Sequence, residues 1–244
     1  MSHLARVPVD LGVARRQWNG YVDALRAEGW ETIEVAPAED CPDAVFVEDT
    51  VVVYGDLAVI CRPGADERKP ETAGTEAALA SLGYRIARID EPGTLDGGDV
   101  LKHAGVVWVG LSGRTNASGI AQLSELLRPL GAQVVPVPIS RVLHLKSAVT
   151  ALPDGTVVGF EPLVDDPALW SSFLEVPEEA GAHVVVLDRS TVLMSTSAPA
   201  SRALFESRGL RVVAVDISEY EKLEGCVTCL SVRLRGGRLL SPRG

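Results

Sequence analysis

No apolar run in the chain approaches the roughly 20 residues that a membrane-spanning helix needs. Stretches such as Val106 to Leu111 and His183 to Leu187 stop far short of it, so no membrane partner is expected. The opening residues, MSHLARVPVD, lack the apolar centre and cleavage site of an export signal, which makes the cytoplasm the expected location. Basic residues are also in short supply. Against 33 Asp and Glu there are 23 Lys and Arg, a formal net charge of -10, and that balance disfavours nucleic acid and anionic lipid, which reward clustered cations. Cysteines number four; in a reducing compartment they read as thiols, with a catalytic or metal role the usual alternative to a disulfide. Without an export signal, Asn116-Ala117-Ser118 reads as a helix N-terminus rather than a glycosylation acceptor. No low-complexity tract or Pro/Gly-rich linker interrupts the 244 residues, so a single α/β domain spanning 1–244 is expected.

What is present is a repeat. GWETIEVAPAED, GYRIARIDEP, GAQVVPVPIS and GLRVVAVDIS each place a glycine after a helix-like segment and before a short alternating strand. The glycines, Gly29, Gly83, Gly131 and Gly209, suit the left-handed position that ends a helix. Asn116 to Leu130 is the clearest helix, with Ile120, Leu123, Leu127 and Leu130 on one stripe. The wide gap before Gly209 leaves room for a degenerate unit around Gly181-AHVVVLD, giving five units. Each clear unit runs into a loop with unusual polar residues: Glu48-Asp49, Asp96-Gly97-Gly98-Asp99, His144 with Lys146, and Cys226-Val227-Thr228-Cys229. Equivalent loops of a repeat array can build one site from distant parts of the chain.

A thiolate needs a base or a cationic neighbour to persist at neutral pH, and Cys229 with His144 is the natural pair. By spacing alone, His144 between Leu143 and Leu145 reads rather more readily as a satisfied core histidine, and Cys229 equally as a small buried hydrophobe. Cys226 and Cys229 have CxxC spacing, but a structural zinc usually brings a second ligand pair. Cys41 and Cys61 are isolated, as are His3, His103 and His183. A thioredoxin-like motif would be followed by a helix, whereas Leu230 to Leu234 reads as a strand. Glu48, Asp49, Asp96 and Asp99 are each explicable as solvated turn acids. Converging, they would make a cation pocket, and a planar guanidinium is the ligand that pairs bidentately with carboxylate. Calcium is the rival cation, but its alternate-residue ligand spacing is absent.

In this order and spacing, FVEDT, LDGGDV, GLSGRTN, HLKS and EGCVTCLSV resemble the dimethylarginine dimethylaminohydrolases of the guanidino-group-modifying superfamily, from about Asp43 to the expected C-terminal strand. The resemblance implies a five-bladed α/β propeller (pentein) of ββαβ repeats with pseudo-fivefold symmetry. It also implies hydrolysis of Nω-methylated L-arginine, dimethyl or monomethyl, to citrulline and an alkylamine, with no metal or organic cofactor. By resemblance Cys229 is the nucleophile, His144 the proton shuttle and Asp96 its supporting acid. Glu48 and Asp49 receive the guanidinium side of the substrate, and Asp43 lies near its amino group. Arg68 and Arg114 clamp its carboxylate, while Leu223 supplies a pocket carbonyl and Glu224 an acid where Asp is usual. Were zinc to bind, Cys229 and His144 would be its ligands and inhibition its effect. The family's longer N-terminus, with a first strand and a lid, is shortened here, so an incomplete first blade is allowed for. Cys226 stands where a non-thiol is common, and a disulfide to Cys229 under oxidation is a further expectation. A homodimer is left open.

Two rival readings stand beside this one. An arginine or agmatine deiminase would use the same thiol chemistry, but agmatine has no carboxylate for Arg68 and Arg114, and there is no room for the helical insertion of arginine deiminases. A non-catalytic propeller that binds ribosomes would not need a nucleophile, a base and a carboxylate set together.

Overall fold

Alternating apolar residues favour strands, and a helix that crosses over between two strands makes them parallel. Both tendencies recur along this chain. The computed structural model describes residues 7–103 and 105–235; His3 lies outside them. After helix α1 (Leu11–Ala27) come strands β1 (Val51–Tyr54) and β2 (Leu57–Ile60), helix α2 (Thr72–Ser81) and strand β3 (Arg85–Arg88). The pattern repeats as β4 (Val100–His103), β5 (Val106–Leu111), α3 (Ala117–Leu127) and β6 (Gln133–Pro138). A short helix α4 (Leu145–Ala148) leads into β7 (Val149–Ala151), β8 (Val157–Gly159) and β9 (Phe173–Glu175). The last repeat is β10 (Val185–Val186), β11 (Thr191–Ser195), α5 (Pro199–Ser207) and β12 (Arg211–Val215), followed by α6 (Ser218–Glu221).

Each set of three strands forms its own sheet in chain order. The first pair is antiparallel and the third strand is parallel to the second in all four. That is the ββαβ unit in three of them; between β8 and β9 the crossover is made of 3₁₀ turns at Glu161–Leu163 and Pro167–Leu169 instead of an α-helix. The four predicted glycines do sit at positive φ, at 81° for Gly29 and Gly83, 79° for Gly131 and 85° for Gly209.

Three expectations need correction. Gly181 does not open a unit: it lies in a 3₁₀ turn (Glu179–Ala182) that precedes β10, and the degenerate unit ends earlier, on β9. The alternating residues after Gly29 form no strand: most of 31–40 is exposed, with Ile33 at 56%, and none of the described residues pairs with them in a ladder. Leu230 to Leu234 is in no strand among the described residues; Val232 and Leu234 are packed on the apolar side of β1 and β2.

The chain divides into two compact units. One joins the residues up to Glu34 to Ile139–Thr228; the other joins Val35–Pro138 to the segment from Cys229. The core of the second gathers Val52, Val59, Val107 and Val109 from its sheets with Leu123 and Leu127 of α3. That of the first gathers Val158, Val192 and Met194 with Phe205 of α5. No helix among the described residues is long and apolar enough to cross a membrane.

Candidate active site

A short turn or helix comes before the first strand of each sheet, and those before β1, β4 and β7 carry or adjoin candidate site residues. In the unit of Val35–Pro138 and the segment from Cys229, the first is the 3₁₀ turn Val47–Thr50. Thr50 fixes it by donating through Oγ1 to the Val47 carbonyl at 2.7 Å, and the same hydroxyl pairs with Thr75 of α2 at 2.9 Å. Glu48 and Asp49 are both buried. Buried carboxylates must be paired to persist, and Asp49 accepts at Oδ1 from Gly98 N at 2.8 Å and at Oδ2 from Arg68 Nη1 at 2.6 Å.

Arg68 is itself buried. Its Nε and Nη2 donate to Glu71, the closest contact being 2.7 Å, and Nη2 reaches the Asp43 carbonyl at 3.3 Å. Burial works against its charge, but Asp49 and Glu71 outweigh that cost and raise its pKa, so Arg68 is a permanent cation. Burial pushes the Glu71 carboxyl up, with Arg68 opposing it. Asp43 is half-buried in the turn before Phe46, whose N donates to the Asp43 carbonyl at 2.9 Å.

The second turn, Gly97–Asp99, follows Asp96, which is fully buried. Gly64 N donates to Asp96 Oδ1 at 3.0 Å, and the Asp96 backbone N donates to Thr115 Oγ1 at 3.1 Å. Arg114 Nη1 lies 3.9 Å from Asp96 Oδ2, too far for a hydrogen bond, and is buried without a hydrogen-bond acceptor. Its loop is held by Ser112, whose Oγ accepts from Arg114 N at 3.0 Å and donates to Asp99 at 2.8 Å. The loops touch backbone to backbone: a Cβ on Gly97 would stand 2.0 Å from the Glu48 carbonyl oxygen, and one on Gly64 2.3 Å from that of Arg114.

Cys229 is buried. Its carbonyl accepts from Glu48 N at 3.1 Å, tying its turn to that of the two acids. Beyond it, Arg233 Nη2 donates to Glu48 Oε1 at 2.7 Å. None of the four cysteines is in a disulfide.

In the other unit, His144 is buried as the N-cap residue of α4, its carbonyl accepting from Ser147 N at 2.9 Å. His183 Nε2 lies 2.9 Å from the Ser147 carbonyl; a carbonyl only accepts, so that nitrogen donates and His183 is a structural histidine. Leu223 is 41% exposed. Glu224 has φ 60°, the left-handed region that a non-glycine residue seldom enters and that recurs at functional sites. Cys226 Sγ is 3.2 Å from Thr228 Oγ1.

Sequence reasoning missed Gly64, Glu71, Thr115 and Arg233, which hold the acids in place. Glu71, three residues after Arg68, was readable as an ion pair on a helical turn, and Thr115 lies inside the quoted GLSGRTN. Nothing in the sequence pairs Arg233 with Glu48, 185 positions away.

No protein-family model matches the chain. It is 60% identical over 235 residues to the N(G),N(G)-dimethylarginine dimethylaminohydrolase of Streptomyces coelicolor, covering 96% of this chain and 91% of that one. It is similar to the structure of the dimethylarginine dimethylaminohydrolase from Pseudomonas aeruginosa in a Cys-to-Ser mutant complexed with citrulline, with 32% identity, a TM-score of 0.90, and 96% and 93% of the two chains covered. A dimethylarginine dimethylaminohydrolase His-to-Gly mutant, as an adduct with S-methyl-L-thiocitrulline, matches with 33% identity, a TM-score of 0.88, and 96% and 92% coverage. The fold class is the α/β pentein that the resemblance implied.

Proposed function

The chain belongs to the dimethylarginine dimethylaminohydrolase family, and on that footing we propose that it hydrolyses dimethylarginine to citrulline and dimethylamine through a covalent intermediate on Cys229. The Cys229 thiolate attacks the guanidinium carbon. The C–N bond to the dimethylated nitrogen then breaks, and His144 supplies the proton with which dimethylamine departs. The S-linked amidinium intermediate is attacked by a water that gives one proton to His144; the carbon–sulfur bond breaks, restoring the thiolate, and the water's second proton passes to solvent as the citrulline carbonyl forms. Asp96 balances the imidazolium charge. Monomethylarginine, with methylamine leaving, is a second substrate by the same steps. The setting is the cytoplasm.

Glu48 and Asp49 face the substrate cation, with Asp43 toward its amino group and Leu223 and Glu224 lining the pocket. The resemblance gives the substrate carboxylate to Arg68 and Arg114. Of the two, Arg114 has a buried Nη1 without an acceptor, while the donors of Arg68 are committed to Asp49, Glu71 and the Asp43 carbonyl. Arg114 is therefore the main clamp, and Arg68 holds Asp49 ready. The observation that supports the reading is the hydrogen bond from Glu48 N to the Cys229 carbonyl, which joins the backbones of an acid and a thiol, as two groups sharing one substrate guanidinium require. A citrulline assay on dimethylarginine, monomethylarginine, arginine and agmatine tests it, with Cys229→Ser as control. Turnover on the methylated substrates that disappears in Cys229→Ser is expected. Turnover surviving in that variant would sink the mechanism, and activity on arginine alone would sink the substrate assignment.

A further inference from the structure

The segment after Cys229 is placed by the parity of its side chains. In an extended chain alternate residues face opposite ways: Val232 and Leu234 pack on the core of β1 and β2, which leaves Ser231 and Arg233 on the other side. There Arg233 uses two arms. Nη2 donates to Glu48 Oε1 at 2.7 Å, while Nη1 donates to the Ser231 carbonyl at 2.6 Å and to its Oγ at 3.2 Å. The pair is largely withdrawn from water, with Glu48 5% and Arg233 20% exposed at the side chain, so it is not the solvated surface bridge whose worth is near zero. Together with the Glu48 N to Cys229 carbonyl bond, it closes a ring running from the nucleophile's turn through Ser231 and Arg233 to the acid and back.

We propose that Arg233 is a positioning residue, fixing the Glu48 carboxylate relative to the Cys229 turn so that the guanidinium carbon is held where the sulfur attacks. This rests on the functional reading above, in which Glu48 takes the cation and Cys229 the carbon. Arginine suits the task because its rigid planar fork bonds carboxylate and carbonyl at once, whereas lysine carries one compact charge.

The test is a double-mutant cycle read by citrulline formation: wild type, Arg233→Ala, Glu48→Gln and the double variant, with Arg233→Lys alongside. Misplacement by about 1 Å costs on the order of 100-fold, so Arg233→Ala is expected to lower kcat by roughly 10- to 100-fold with a smaller change in KM. The double variant should be no slower than Glu48→Gln alone, because Arg233 acts only through that carboxylate, and Arg233→Lys should recover part of the loss. Losses that multiply in the double variant, or an Arg233→Ala enzyme with wild-type kcat, would overturn the proposal. If Arg233→Ala does not fold, Arg233→Lys decides, since full wild-type kcat there means that a single charge suffices. Absence of citrulline from wild type itself would overturn the functional reading, and the positioning role with it.

Discussion

Gly97→Ala adds one methyl group where the Asp96 turn meets the Glu48 turn. The new Cβ would lie 2.0 Å from the Glu48 carbonyl oxygen and 3.0 Å from that of Val51. Contacts below 3.0 Å essentially never occur at a real Cβ, so the two backbones must part by about 1 Å before the methyl is tolerated at all. Both obstacles are backbone, and no side chain can swing aside. Overpacking of this kind costs about 1–3 kcal/mol, and displacement of the acid by about 1 Å lowers turnover on the order of 100-fold. Gly20→Ala is the matched control: the same methyl, on an exposed position of α1, meets nothing within 4 Å. There the loss of glycine's backbone freedom raises stability by roughly 0.5–1 kcal/mol. Urea unfolding of both variants, with citrulline formation at saturating dimethylarginine, reads the two effects separately. A Gly97→Ala enzyme as stable and as fast as wild type would refute the claim that the turns are locked by close backbone approach.

Arg68→Met removes the cation between Asp49 and Glu71 and leaves two buried carboxylates uncompensated, which costs about 3–5 kcal/mol; a loss below about 1 kcal/mol in urea unfolding would mean that Arg68 is not what holds them. Helix α5 begins at Pro199 with no side-chain cap of its own, and Glu178 fills that role by accepting from Ala200 N at 2.8 Å and Ser201 N at 2.7 Å. Burial raises its pKa, but those bonds and the Ser201 hydroxyl more than offset it, so the folded carboxyl titrates below its ordinary 4.5. A depressed acid stabilises above its unfolded pKa and loses that contribution as pH falls through the folded one. Glu178→Gln is accordingly expected to cost about 1 kcal/mol at neutral pH, with the gap to wild type closing below about pH 4.5. A gap independent of pH would contradict the capping role.

Much of this was legible because it is periodic. The helix-ending glycines and the strands after Gly83, Gly131 and Gly209 come from local steric rules, and the polar residues of the loops stand out against apolar neighbours. The unit of β7 to β9 was not legible, since its strands have three residues each and its crossover has no helical stripe to read. The apparent strand at 31–36 failed for a different reason: alternation states which side of a segment is apolar, but a strand also needs a partner with unbonded backbone, and none of the described residues pairs with it. Among the candidate site residues, those with reactive side chains stand out in the sequence itself. The groups that hold them, Gly64, Glu71, Thr115 and Arg233, are ordinary residue types made important by distant contacts.

The membership of the Cys229 segment in the unit of Val35–Pro138 has a consequence for the order of synthesis. On the ribosome, the two acids of the Glu48 turn emerge long before the segment that supplies Val232, Leu234 and Arg233. Until that segment arrives, the apolar side of β1 and β2 lacks two of its packing residues, and Glu48 lacks the guanidinium it will bind. A nascent chain therefore exposes Glu48 and Asp49 well before Cys229, the proposed nucleophile, has been made, so the proposed chemistry waits on the last part of the chain.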